Sequence, residues 1–165
     1  VRHTISILVD NEPGVLSRIA GLFSARGFNI ESLNVAETTE PDTSRITLVT
    51  SGDDWIIEQI IKRFNNMVNV IKVRDLTPLT RVEREMVLVK VEATHETRAE
   101  ILRTADIFRA KVVDVGPKSY TLELTGDKDK VTAFIDLLTP LGINEIARTG
   151  TVAMIRETQI TKPRS

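Results

Sequence analysis

Residues 3–23 read HTISILVDNEPGVLSRIAGLF, and the change of period inside this stretch decides the fold. Residues 3–9 are rich in β-branched side chains and alternate in part, the pattern of a strand with a buried face. Asp10-Asn11-Glu12-Pro13-Gly14 is a run of turn formers. Beyond it the apolar residues recur at helical spacing. Leu16, Ile19, Ala20 and Phe23 make one stripe, with Leu22 beside it. Pro13 suits a first helical position, where its missing N–H costs nothing. Gly27 suits a left-handed cap at the far end. A strand therefore passes through a tight turn directly into an amphipathic helix.

Working outward, 30–38 reads as a second strand, 40–43 as a turn and 44–50 as a third strand. Asp53 can cap a second helix whose stripe is Ile56, Ile57, Ile60, Ile61 and Phe64. Residues 68–76 read as a fourth strand. Strand, helix, strand, strand, helix, strand is the ferredoxin-like order. Its two helices cover one face of an antiparallel sheet, and the other face needs a cover or water. Residues 77–82, with Thr77-Pro78-Leu79-Thr80-Arg81, make the best linker.

The pattern then restarts. Residues 84–93 read as a strand, and 96–109 as a helix with Ala99, Leu102, Ala105 and Phe108 inward. A hairpin of 111–115 and 118–125 follows, around Gly116-Pro117. Asp127 can cap a helix carrying Val131, Phe134, Ile135 and Leu138, and 143–149 is a last strand. The expectation is an α+β chain of two consecutive βαββαβ domains, at 1–76 and 83–156, with a polar, mobile tail at 157–165. In the second domain an open sheet face with Val and Ile on both sides would be the natural contact surface.

Composition narrows the function. Apolar residues reach 41% of the 165, which supports packed cores. A net charge of −1 lacks the basic bias of a nucleic-acid binder. The chain has no cysteine, so disulfides, thiolate metal sites and cysteine nucleophiles are excluded and a reducing compartment fits. No apolar run approaches the roughly 20 residues that span a bilayer, and Val1-Arg2-His3 begins no signal-peptide pattern. The expected location is the cytoplasm, away from membranes. His3 and His95 are the only histidines, each expected at the surface or at a cap, with no metal-ligand spacing. Asp53-Asp54 favours a helix dipole rather than acid–base work. No phosphate-cradling loop or nucleophile elbow occurs. The residues lean towards binding rather than chemistry, and no metal or catalytic residue is expected.

The turn at 10–16 is the best binding candidate. The first N–H groups of a helix lack internal partners and carry partial positive charge, so a small carboxylate can dock there. Gly14 has no Cβ to bar a ligand from the backbone. Asn11 offers both a donor and an acceptor, which suits a zwitterion, and Val15 and Leu16 could supply apolar walls. The same residues also serve as ordinary turn chemistry that needs no ligand.

Asp10-Asn11-Glu12-Pro13-Gly14-Val15-Leu16-Ser17-Arg18-Ile19 resembles the entry motif of ACT domains, the small-molecule sensing modules of amino-acid metabolism. Residues 21–33 (GLFSARGFNIESL), Ser44-Arg45-Ile46-Thr47, Glu83-Arg84-Glu85-Met86, Phe108 to Val115 and Arg148-Thr149-Gly150 resemble the small regulatory subunits of acetohydroxyacid (acetolactate) synthase in particular. The likeness runs through both halves. It implies a non-catalytic regulator of a separate catalytic large subunit, which carries thiamine diphosphate, magnesium and FAD while this chain carries none. It implies a homodimer whose ACT sheets join edge to edge and hold valine between chains. Asn11 and Gly14 of one subunit would face Asn29 of the other, with the backbone around Val15, Leu16 and Ile30 lining the pocket. Glu12, Pro13, Ser17, Ala36 and Gln59 carry over as supporting residues. On its own Asn29 reads as a turn residue after Gly27-Phe28. The rival readings are a free-standing ACT sensor acting on another enzyme or on transcription, a small enzyme on the same scaffold, and a metal-responsive regulator.

Overall fold

The computed structural model describes residues 1–157. The chain divides into two compact units: Val1–Val82 with the segment from Thr151, and Glu83–Gly150.

The first unit contains β1 (Arg2–Asp10), α1 (Val15–Ala25), β2 (Ile30–Glu37), β3 (Thr43–Ser51), α2 (Asp54–Asn65) and β4 (Val70–Asp75). The strands lie in the order β2-β3-β1-β4, every neighbour antiparallel. Alternation along β1 turns Ile5, Ile7 and Val9 to the helices, where they meet Ile46 and Leu48 of β3 and Val73 of β4 in one core. Val15, Ile19 and Phe23 of α1 and Ile57, Ile60 and Phe64 of α2 close that core. The Phe23 and Phe64 rings stand 5.5 Å apart. Asp53 caps α2, accepting from the Trp55 N–H at 2.9 Å, and Gly27 follows α1 with φ +75°, as the sequence suggested.

Three details differ from expectation. The buried stripe of α1 runs Val15-Ile19-Phe23, leaving Leu16 41% exposed. Pro13 precedes the helix, because Gly14 at φ +84° is its cap residue. His3 is buried, since its ring lies between Asp75 and Asp54, with Nδ1 and Nε2 each 2.8 Å from a carboxylate oxygen. The ring thereby ties the starts of β1 and α2 to the end of β4.

The second unit repeats the plan with β5 (Arg81–Glu92), α3 (Arg98–Phe108), β6 (Lys111–Val115), β7 (Ser119–Gly126), α4 (Lys128–Leu138) and β8 (Ile143–Arg148). Its strand order is β6-β7-β5-β8. Val87, Val89, Val91, Leu122 and Leu124 meet Ile101, Val131 and Phe134 in a separate core. In α3 the buried residues are Ile101, Thr104 and Ala105, and Phe108 packs against the same core as expected, while Ala99 is exposed and Leu102 is 46% exposed. Thr104 is admitted because its hydroxyl donates to the Glu100 carbonyl at 2.9 Å. The open sheet face is mixed rather than uniformly apolar, with Leu88 beside Ala147 at its centre and charged pairs around them. It pairs Lys90 with Thr121 and with Glu145 across the strands, and Lys111 with Glu123.

A ninth strand, β9 (Val152–Ile155), pairs with β5, whose first two residues belong to the first unit. The second domain read from the sequence runs to 156, whereas by contact its last part belongs with the first unit. From Thr151 the chain contacts the first unit, where the Thr151 N–H donates to the Ser32 hydroxyl and the Arg156 N–H to the Thr80 carbonyl. Residues 77–82 are likewise built into that unit rather than free as a linker. The Arg81 guanidinium donates to the carbonyls of Leu76, Thr77 and Leu79. Most of the expected polar tail, residues 158–165, lies outside the described residues.

Candidate functional site

The turn between β1 and α1 is held by backbone bonds. The Asp10 N–H donates to the Asn69 carbonyl (2.9 Å), the Asn11 N–H to that of Asp42 (2.7 Å) and the Glu12 N–H to that of Asp10 (2.9 Å). Asp42 and Gly14 both take positive φ, which lets the two loops at this end of the sheet bend together. Gly14 then starts α1 with open space where a Cβ would stand. No side chain caps α1, and no acidic residue lies in its first turn. Asp53 and Asp127 cap α2 and α4, which also carry Asp54 and Asp129 in their first turns. The bare end of α1 thus keeps its partial positive charge.

Asn11 is exposed beside this end, and its amide donates to the Glu37 carboxylate at 3.2 Å. That bond leaves the Asn11 side-chain oxygen as an acceptor. Glu12, Pro13 and Ser17 are exposed around the turn. Leu16 offers an apolar side chain to solvent. The Val15 side chain is only 2% exposed and belongs to the core, so it cannot be a wall, and its N–H is directed to the Glu12 carbonyl at 3.4 Å. Ala36 lies near the same end, opposite Arg45, and Gln59 is half-buried on α2.

Asn29 and Ile30 lie elsewhere. Ile30 opens β2 opposite Thr50, whereas Glu37 closes β2 opposite Ser44. Seven strand steps separate the two, about 23 Å. One chain therefore brings Asn11, Gly14 and Leu16 together and holds Asn29 and Ile30 at the other end of the same strand. That strand is an edge, and Val35 on it is 43% exposed. Three residues the sequence reading passed over set these positions. Glu37 orients Asn11. Thr50 donates from its hydroxyl to the Asn29 carbonyl at 2.8 Å. Gly52 leaves room for the Phe28 ring, which a Cβ would overlap. All three act across strands, so local pattern carried no signal for them.

Among the described residues, no group of three His, Cys, Asp or Glu side chains is disposed to hold a metal ion. No described helix is long and apolar enough to cross a membrane.

Comparison with known proteins extends over both units. Residues 5–72 match the family model for the acetohydroxyacid synthase (AHAS) small subunit-like ACT domain. Residues 84–157 match the model for the small subunit of acetolactate synthase. A probable acetolactate synthase small subunit of Archaeoglobus fulgidus is 54% identical, over 94% of this chain and 98% of its own length. The acetolactate synthase small subunit of Aquifex aeolicus is 51% identical, over 96% of this chain and 83% of its own. The crystal structure of the Thermotoga maritima acetolactate synthase small subunit superposes with a TM-score of 0.86 at 45% identity, over 96% of this chain and 99% of that one. With an ACT-type unit followed by the family's characteristic second unit, the chain belongs to the acetolactate synthase small-subunit family.

Proposed function

We infer that this chain is a non-catalytic regulatory subunit. It activates the catalytic large subunit of acetolactate synthase and makes it sensitive to valine. The thiamine diphosphate, magnesium and FAD of the reaction belong to that catalytic partner, and the work is done in the cytoplasm.

The observation that carries this reading is the division of the candidate residues between the two ends of one edge strand. Two copies joined through β2 in antiparallel fashion, about a two-fold axis, would set the start of each β2 beside the end of the other. Asn29 and Ile30 of one chain would then lie against the turn of its partner. A free amino acid fits the chemistry assembled there. Its carboxylate faces the unfilled N–H groups of Leu16 and Ser17 at the positive end of α1. Its ammonium meets the side-chain oxygen of Asn11, and Leu16 and Ile30 flank a branched apolar side chain. Glu12, Pro13, Ser17, Ala36 and Gln59 would support this arrangement from around it.

A ligand held between two chains can favour one arrangement of the dimer over another by as much as its affinity differs between them. A coupling of about 1–3 kcal/mol would regulate the partner over the usual allosteric range. The experiment is reconstitution with the catalytic subunit, followed by titration of valine, leucine and isoleucine, together with calorimetry on this chain alone. Expected are higher acetolactate production on mixing, suppression by valine ahead of the other two, and saturation near one valine per chain. A calorimetric titration with no valine heat and no inhibition would contradict the reading.

A further inference from the structure

The face of the first unit's sheet turned away from the helices holds a cavity of about 250 Å³. Ser6 and Leu8 of β1, Arg45 of β3 and Lys72, Arg74 and Leu76 at β4 form its floor. Ala153, Met154 and Ile155 of the returning strand β9 form a wall. None of these is a residue of the Asn11–Gly14 turn.

Register explains the concentration of charge. Leu8 lies between Arg45 on one side and Lys72 on the other, and Ser6 lies beside Arg74. The three cations therefore share one face, their backbones about 7–12 Å from one another by strand spacing. No two of these cations are direct cross-strand partners, yet they repel across one face, and a folded protein ordinarily places carboxylates among them. Here no carboxylate lines the cavity. Among the described residues, neither Lys72 nor Arg74 makes an ion pair, and Arg45 donates to the Ser6 hydroxyl at 2.8 Å.

Beside the cations, Leu8, Leu76 and Ile155 give the cavity an apolar side. We propose that this cavity binds a small phosphate monoester, its phosphoryl group held by Arg45, Lys72 and Arg74 and its organic group against Leu8, Leu76 and Ile155. Two guanidinium forks and an ammonium match a divalent tetrahedral anion better than a single carboxylate. The Ser6 hydroxyl already orients Arg45 towards the site.

The test uses calorimetry on the full chain with phenyl phosphate and with inorganic phosphate as probes. Phenyl phosphate is expected to bind at least about tenfold more tightly than inorganic phosphate, because only it reaches the apolar side. The double variant K72Q/R74Q is expected to lose at least about tenfold in phenyl phosphate affinity with its unliganded melting temperature unchanged or raised. A second double variant, K62Q/R63Q, removes two cations from the last turn of α2 and is expected to bind as the wild type does. Equal binding of the two probes, full binding by K72Q/R74Q, or the same loss in K62Q/R63Q would each overturn the proposal.

Discussion

In both units a strand hands the chain to a helix that covers the sheet, yet the two junctions are closed in different ways. Between β5 and α3 the connection ties itself together, although no side chain caps the first turn of α3. The Thr94 N–H donates to the Thr97 hydroxyl at 2.9 Å, and the Thr97 N–H donates to the Thr94 hydroxyl at 3.2 Å. Glu100 adds a negative charge in the first turn of α3. Between β1 and α1 neither device is present. Gly14 contributes no side chain, no acidic residue follows, and the polar groups of the turn face outward. Neither helix has a side-chain cap, so the difference is one of charge and access: Glu100 offsets the positive end of α3, whereas the end of α1 stays uncompensated and, at Gly14, open. Fold alone would not separate the two; the chemistry of Gly14, Thr94, Thr97 and Glu100 does.

The largest effect bearing on this comparison concerns independence. Each unit has its own core, with an aromatic pair in each: Phe23 with Phe64, and Phe108 with Phe134 at 5.3 Å. Phe64→Ala should destabilise the first unit by about 3–5 kcal/mol. Hydrogen exchange should show the loss in β1, β3 and β4 while β5 and β7 keep their protection. Equal loss in both units would mean that they fold as one.

The next effect separates an open junction from a strained one. Gly14→Asp places a charged side chain where the effector carboxylate is expected. It should raise the valine concentration needed for half-inhibition at least about tenfold, or 1.4 kcal/mol. Gly14→Ala meets open space and bears only the cost of positive φ, about 1–2 kcal/mol of stability. Its inhibition should stay closer to that of the wild type. Similar inhibition curves for the two variants would remove charge from the explanation.

The smallest effect checks the closed helices. Asp127 accepts from the Lys130 N–H at 2.9 Å, so Asp127→Ala should cost about 1 kcal/mol in denaturant unfolding and leave valine inhibition unchanged. A shift in inhibition would tie the second unit to the effector response.

Much of this was legible in the sequence. The switch from period two to helical period at Asp10–Gly14, repeated after residue 83, yields both βαββαβ units. Asp53 and Asp127 announce their helices, because capping is a local matter. Faces were harder. Leu16 and Leu102 read as core, yet a helix whose stripe shifts by one residue buries Val15 and Ile101 instead. Apolar spacing of three or four tolerates either choice until the sheet beneath is known. The return of β9 to the first unit and the burial of His3 between Asp54 and Asp75 depend on contacts across much of the chain, which no local pattern encodes. At the candidate site, Asn11, Gly14 and Asn29 were visible only through the resemblance and the turn chemistry. The roles of Glu37, Thr50 and Gly52 required the strand register.

The central claim is that the effector site is shared between two chains, and subunit mixing tests it most directly. Asn11→Ala and Asn29→Ala proteins, each prepared alone, should have lost valine binding. When they are mixed and allowed to exchange, half of the dimers become mixed dimers, each with one intact site. Binding should return to roughly a quarter of the wild-type sites. No recovery on mixing, with exchange verified, would contradict a site built from two protomers.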